Sequence, residues 1–154
     1  MAEYRVIEDD LADAAVIALL ALHLAEMHAL SPACKVHAMP VERLRQPDVT
    51  FYSAWDGDCL AAVGALREIE PGRGELKSMR VAPAHLRRGV GGMMLAHLVS
   101  EGRAAGYRRL SLETGSNEPF AAARAMYARA GFVPCSPFAG YTDTTFSRYY
   151  TLDL

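Results

Sequence analysis

The chain is poor in cysteine, in long apolar runs and in charge of one sign, and each shortage removes a class of function. Its three cysteines, Cys34, Cys59 and Cys135, are widely separated, with no Cys-x-x-Cys pair and no His at metal-ligand spacing. Neither a disulfide framework nor a structural zinc is expected, no metal is assigned, and the cysteine usage reads as a reducing, cytoplasmic setting. Met1 to Arg5 lacks the charged start and apolar core of a signal peptide. The longest apolar helical stretch, Leu11 to Leu30, is interrupted by Asp13, His23, Glu26 and His28, the wrong pattern for a membrane span. A formal net charge of only -2 gives no general pull toward nucleic acid or an anionic membrane, so any anion site has to be local.

What is present is the make-up of one folded domain, residues 1–154, with 51% apolar and 22% charged residues. Tyr4 to Ile7 alternates as a strand, and Asp9-Asp10 reads as the N-cap of a helix from Leu11 to about His28. After the break at Ser31-Pro32, Pro40 starts a short second helix that ends before Pro47. Val49 to Trp55, the turn Asp56-Gly57-Asp58, and Cys59 to Ile69 read as a hairpin. Pro71-Gly72-Arg73-Gly74 turns the chain into a fourth strand, Glu75 to Val81. A third helix runs from Gly89 to about Ala105, and Leu110 to Glu113 is a strand. Phe120 to Ala130 is a fourth helix, and strands starting at Phe132-Val133 and Phe146 complete the order β-α-α-β-β-β-α-β-α-β-β. That order implies an α/β (α+β) fold: a mixed, mainly antiparallel central sheet of six to seven strands flanked by about four helices.

The chemistry concentrates at Arg87-Arg88-Gly89-Val90-Gly91-Gly92, between the fourth strand and third helix. The first turn of a helix leaves N–H groups without partners and carries partial positive charge, while glycine lets phosphate oxygens approach the backbone. Two other phosphate loops are excluded. No Gly-Lys-Ser/Thr follows the glycines, and Met94 stands where a dinucleotide fingerprint needs its third Gly.

Three segments in order, Glu75-Leu76-Lys77-Ser78-Met79-Arg80-Val81-Ala82-Pro83, Leu86-Arg87-Arg88-Gly89-Val90-Gly91 and Ala125-Met126-Tyr127-Ala128-Arg129-Ala130-Gly131-Phe132, resemble the GNAT N-acetyltransferase superfamily. They match its fourth strand, its coenzyme A loop and its late Tyr…Gly-Phe segment. Leu86 stands where the family carries Arg or Gln, leaving Arg87 or Arg88 to supply that phosphate contact, and Phe120 replaces a frequent Asn. The resemblance implies the GNAT acyl-CoA N-acyltransferase fold, with acetyl-CoA as donor and the amine of a small molecule or peptide as acceptor. It implies a fourth strand splayed from the fifth, with the coenzyme held by Met79, Arg80, Val81, Arg87, Arg88, Gly89, Val90, Gly91, Gly92 and Tyr127.

For catalysis, Glu75 lies six residues before Val81, so strand parity puts both on one face, and it matches the catalytic Glu of histone-type members; the alternative is an exposed carboxylate beside a turn. Glu113 is the competing base, with helix capping as its alternative. Tyr127 is the candidate acid at the departing sulfur, or else a core aromatic sharing a helical face with Phe120 and Ala123. Glu26, His28 and His37 are candidate acceptor contacts, against a helix-end role for the histidines. Cys135 reads as structural. Rival functions are a non-catalytic acyl-CoA sensor and a protein-modifying acetyltransferase, and exposed strand ends allow a homodimer.

Overall fold

The computed structural model describes residues 3–30 and 38–154. Strand β1 is Tyr4–Glu8, and the helix that follows starts later than expected. The carboxylates of Asp9 and Asp10 accept from the N–H groups of Leu11 and Ala12, closing local turns that hold Leu11 at φ 63. The cap is instead Asp13, whose carboxylate accepts from Ala15 N–H at 2.8 Å, and α1 runs Ala14–Leu30. Pro40 precedes the single turn of α2, Val41–Leu44.

A meander follows: β2 Val49–Asp56, β3 Cys59–Glu70 and β4 Arg73–Val81. Strand β4 begins two residues before Glu75 because Gly72, at φ 81, completes the turn. Helix α3 is Val90–Ala104, β5 is Arg109–Gly115, α4 is Ala121–Arg129, β6 is Val133–Cys135 and β7 is Ser147–Asp153. The sheet order is β1-β2-β3-β4-β5-β7-β6, with β4 and β5 parallel and the other neighbours antiparallel. This is the mixed, mainly antiparallel sheet and four-helix complement expected from the sequence. Among the described residues no helix is long and apolar enough to cross a membrane.

Each sheet face carries its own core. Leu66, Leu76, Leu110 and Leu112 pack with Met94, Leu95 and Leu98 of α3 and Phe132. Val63, Ala65, Phe51 and Trp55 pack with Val16, Leu19 and Leu20 of α1 and Leu44 of α2. Each fully buried Leu, Val or Phe side chain contributes about 1.5–3 kcal/mol, so the two faces anchor the helices independently.

Two irregularities of β4 shape everything that follows. Val63 pairs with Arg80 and Ala65 with Lys77, so Ser78 and Met79 together oppose the single residue Gly64. This is a β-bulge, with Ser78 at φ 54. Gly64 fits there because α3 lies directly on it: a Cβ would come within 3.0 Å of Leu98 Cδ1. The bulge reverses the side-chain alternation. Leu76 before it and Met79 and Val81 after it belong to the α3-side core, so Glu75 and Val81 do not share a face, correcting the parity expected from an unbroken strand. Secondly, β4 and β5 pair only from Arg73/Arg109 to Leu76/Leu112. Beyond that point they diverge, which is the splay that the resemblance implied.

Candidate active site

A cavity of about 1260 Å³ runs through that divergence. One end is walled by Leu86, Arg87 and Gly89 to Gly92, the middle by Met79, Val81, Glu113 and Tyr127, and the far end by His23, Glu26, Met27, Lys77 and Arg80. At the first end Gly89 is the N-cap of α3 at φ 77 and ψ 9, and Arg87 also adopts a left-handed φ of 61. A residue with a Cβ costs about 1–2 kcal/mol in that conformation, which explains Gly at position 89. The amides of α3's first turn thus open onto a concave wall, the geometry of an oxyanion or phosphate cradle. Arg103 and Arg129 also line the cavity.

Arg88 is exposed and does not line the cavity, so of the two arginines Arg87 faces it. Leu86, in the place of the family's Arg or Gln, is a 58% exposed hydrophobic side chain at the cavity wall.

Glu75 also stays out of the cavity lining. It is 0% exposed, and Arg67 Nη1 lies 3.0 Å from one of its oxygens. The Tyr141 hydroxyl donates to the other at 2.7 Å. That phenol accepts from Lys77 Nζ at 2.9 Å, and Lys77 Nζ is itself 3.8 Å from the Glu75 carboxylate. Burial lowers the Lys77 ammonium below the usual lysine range, against the opposing charges of Glu75 and Glu113. Burial, with the nearby Glu75 carboxylate, raises the Tyr141 phenol. Lys77, and not Glu75, is the member of this network that reaches the cavity.

Glu113 lies at the cavity wall with Ser147 Oγ donating to it at 2.6 Å. Its negative charge acts on Tyr127 across the cavity. Burial, and secondarily that charge, push the Tyr127 phenol up to about 12. Tyr127 is 9% exposed and packs edge-on against Phe132, so it is a core aromatic whose position also lines the cavity. A phenol held at that value stays protonated at every physiological pH and remains a hydrogen-bond donor.

At the far end, Glu26 pairs with Arg80, while His28 is exposed and off the cavity. His37 lies outside the described residues. His23 was not singled out from the sequence, yet it lines the cavity and its buried Nδ1 has no hydrogen-bond partner among the described residues. Its signal was spacing: Val16, Leu19, Leu20, His23, Met27 and Leu30 mark one stripe of α1. Burial, then the Arg80 guanidinium and more weakly Lys77, lower the imidazole from 6.5 to about 4, against Glu26, which raises it.

A stability prediction follows. Between about pH 6.5 and pH 4 the unfolded chain binds a proton at His23 that the folded chain refuses, so this contribution is complete above pH 6.5 and is lost as pH falls. The loss is on the order of 3 kcal/mol at pH 4. Thermal melts across this window are expected to fall less steeply for His23→Gln than for wild type.

Comparison with known proteins agrees with this geometry. The family model for Acetyltransferase (GNAT) family matches residues 16–132. YsnE, an uncharacterized N-acetyltransferase of Bacillus subtilis (strain 168), is 46% identical over 95% of this chain and 97% of its own. A protein of Klebsiella pneumoniae assigned as an acyl-CoA N-acyltransferase superposes with a TM-score of 0.79 at 27% identity, covering 98% of this chain and 97% of the other. An acetyltransferase of Bacillus subtilis solved in complex with CoA shares the fold at a TM-score of 0.71 and 17% identity, over 99% of both chains. With the splayed strands, the glycine-capped helix and these matches together, the chain belongs to the GNAT acetyltransferase family.

Proposed function

We propose that the protein moves an acetyl group from acetyl-CoA to the primary amine of a small molecule by direct attack. The observation that carries this reading is the single cavity that joins the α3 amide cradle to a carboxylate and a phenol, Glu113 and Tyr127, through the gap between β4 and β5. Acetyl-CoA supplies an activated acyl carbon joined to a thiol leaving group. Gly89, Val90, Gly91, Gly92 and Arg87 are suited to its phosphates, and the bulged backbone at Met79 to Val81 to its arm. The solved relative that holds CoA on the same fold supports that assignment.

An alkylamine near pKa 10 is mostly protonated at pH 7 and has no lone pair to attack with. Glu113 faces the cavity and takes that proton, directly or through water. The N–C bond forms as the C–S bond breaks, and the nitrogen's second proton passes to the departing thiolate, leaving a neutral amide and free CoA thiol. Tyr127, a weaker acid than a thiol near 8.5, stabilises the departing sulfur chiefly as a hydrogen-bond donor. Glu75 acts indirectly, holding Lys77 through Tyr141. The free thiols Cys59 and Cys135 fit a reducing, cytoplasmic compartment.

Release of CoA thiol on mixing with acetyl-CoA and a panel of amines tests the reading. Tight CoA binding without turnover across amino acids, polyamines, aminoglycosides and peptides would make the protein an acyl-CoA sensor instead, and turnover confined to peptides or proteins would make it a protein-modifying enzyme. Given turnover, Tyr127→Phe is expected to lower kcat by about 10- to 100-fold, the worth of a charge-assisted hydrogen bond, with acetyl-CoA affinity little changed. An unchanged kcat would remove Tyr127 from the chemistry.

A further inference from the structure

The far end of the cavity has a charge pattern that the transfer chemistry alone does not require. Because the bulge shifts the alternation between Lys77 and Arg80, both side chains reach the α1 side of the sheet, where Arg80 pairs with Glu26 of α1. His23 of α1 stands within the electrostatic reach of both cations. Its Nδ1 is buried without a hydrogen-bond partner among the described residues, an unfavourable state for a polar atom. The carboxylates on this side are already shared. Glu75 of β4 lies against Arg67 of β3 as well as Lys77, and Asp48 is shared by Arg43 at 2.6 Å and Arg67 at 3.7 Å. At this end the charged side chains that line the cavity are Lys77 and Arg80, with Glu26 as the carboxylate on the same wall. Glu113 of β5, across the cavity, is the carboxylate that faces the reacting amine.

We infer that Lys77, Arg80 and His23 form a seat for an acceptor carboxylate, so that the acceptor is an aminocarboxylic acid whose ammonium group faces Glu113. This rests on the transfer reading above and narrows its acceptor. Arg80 uses one guanidinium nitrogen on Glu26 and has five N–H donors in all, so it can serve Glu26 and a substrate carboxylate together. An anion placed there also favours the imidazolium of His23, which would then donate from the nitrogen that now lacks a partner.

The test compares standard L-amino acids and short ω-amino acids, each beside its carboxamide, by thiol release from acetyl-CoA. For the best acceptor the free acid should exceed its amide in kcat/KM by about 10- to 100-fold, the range of a hydrogen bond to a charged group. Lys77→Met should collapse that ratio and Lys77→Arg should retain most of it. Equal or better turnover of the amides overturns the inference. A second readout needs neither a variant nor turnover: the His23 imidazole, followed by NMR in CoA-loaded wild-type protein, should titrate at higher pH with an aminocarboxylate present and stay put with its amide. No amine turned over, yet His23 moving with the acids, would sink the transfer reading and keep the seat. A His23 that ignores both sinks the seat.

Discussion

Glu113→Gln is expected to lower kcat by about 10²–10⁴-fold, the range ascribed to a positioned general base, with little change in the KM for acetyl-CoA. The substitution keeps the shape of the side chain and the partner of Ser147, whose hydroxyl lies 2.6 Å from the carboxylate, but removes the proton acceptor. The variant then depends on acceptor molecules that are already neutral. Its kcat/KM should climb about tenfold per pH unit below the amine's own pKa. A second signature is electrostatic. Glu113 is the charge that adds to burial in holding the Tyr127 phenol up, so the variant's phenol should titrate lower than the wild-type value of about 12. A pH–rate profile and a spectrophotometric tyrosine titration read the two effects separately. Undiminished kcat in the variant would return the base role to the Glu75–Tyr141–Lys77 chain.

The fold was legible because its signals are local. The turn residues Asp56-Gly57-Asp58 and Pro71-Gly72 and the apolar periodicity of α3 each specify one element, and element order then implies the sheet. The same locality explains the errors. Asp9-Asp10 and Asp13 are equivalent as cap candidates in sequence, and what separates them is the burial of Leu11 in the α1-side core, a tertiary fact. The bulge at Ser78 has no proline or glycine of its own on β4. Its cause lies on the neighbouring strand, where Gly64 leaves room for α3, so strand parity read along β4 alone put Glu75 and Val81 on one face.

The glycine-rich end of the cavity was legible as a motif, since Arg87, Gly89, Val90, Gly91 and Gly92 line it. The far end was not. Tyr141 meets Glu75 from 66 residues away, and it arrives on the connection between β6 and β7, held by a turn in which Ala139 and Gly140 both take positive φ. No periodicity marks such a residue. Lys77 stood inside a quoted motif, but only the bulge reveals that it shares a face with Arg80.

Removing Glu75 is therefore expected to cost stability before it costs chemistry. The carboxylate is fully buried and is the common partner of Arg67, Tyr141 and Lys77. Taking one member from a buried ion pair costs about 3–5 kcal/mol because the charge left behind stays desolvated, and Arg67, 24% exposed, is wet enough to favour the lower figure. For a chain of this size each kcal/mol moves the melting temperature by about 2–4 °C, so Glu75→Gln should melt about 6–12 °C below wild type. Lys77 fixes the pH dependence. Its ammonium is already lowered by burial, and Glu75 is the largest influence opposing that. Without it the folded-state value drops further below the unfolded one, so the variant is penalised most at low pH. Its deficit should shrink as pH rises toward the unfolded lysine's value and Lys77 sheds its proton. A double-mutant cycle with Tyr141→Phe should give a coupling of about 0.5–3 kcal/mol. A Glu75→Gln protein that melts like wild type but has lost turnover would instead make Glu75 the base and the buried network its proton path.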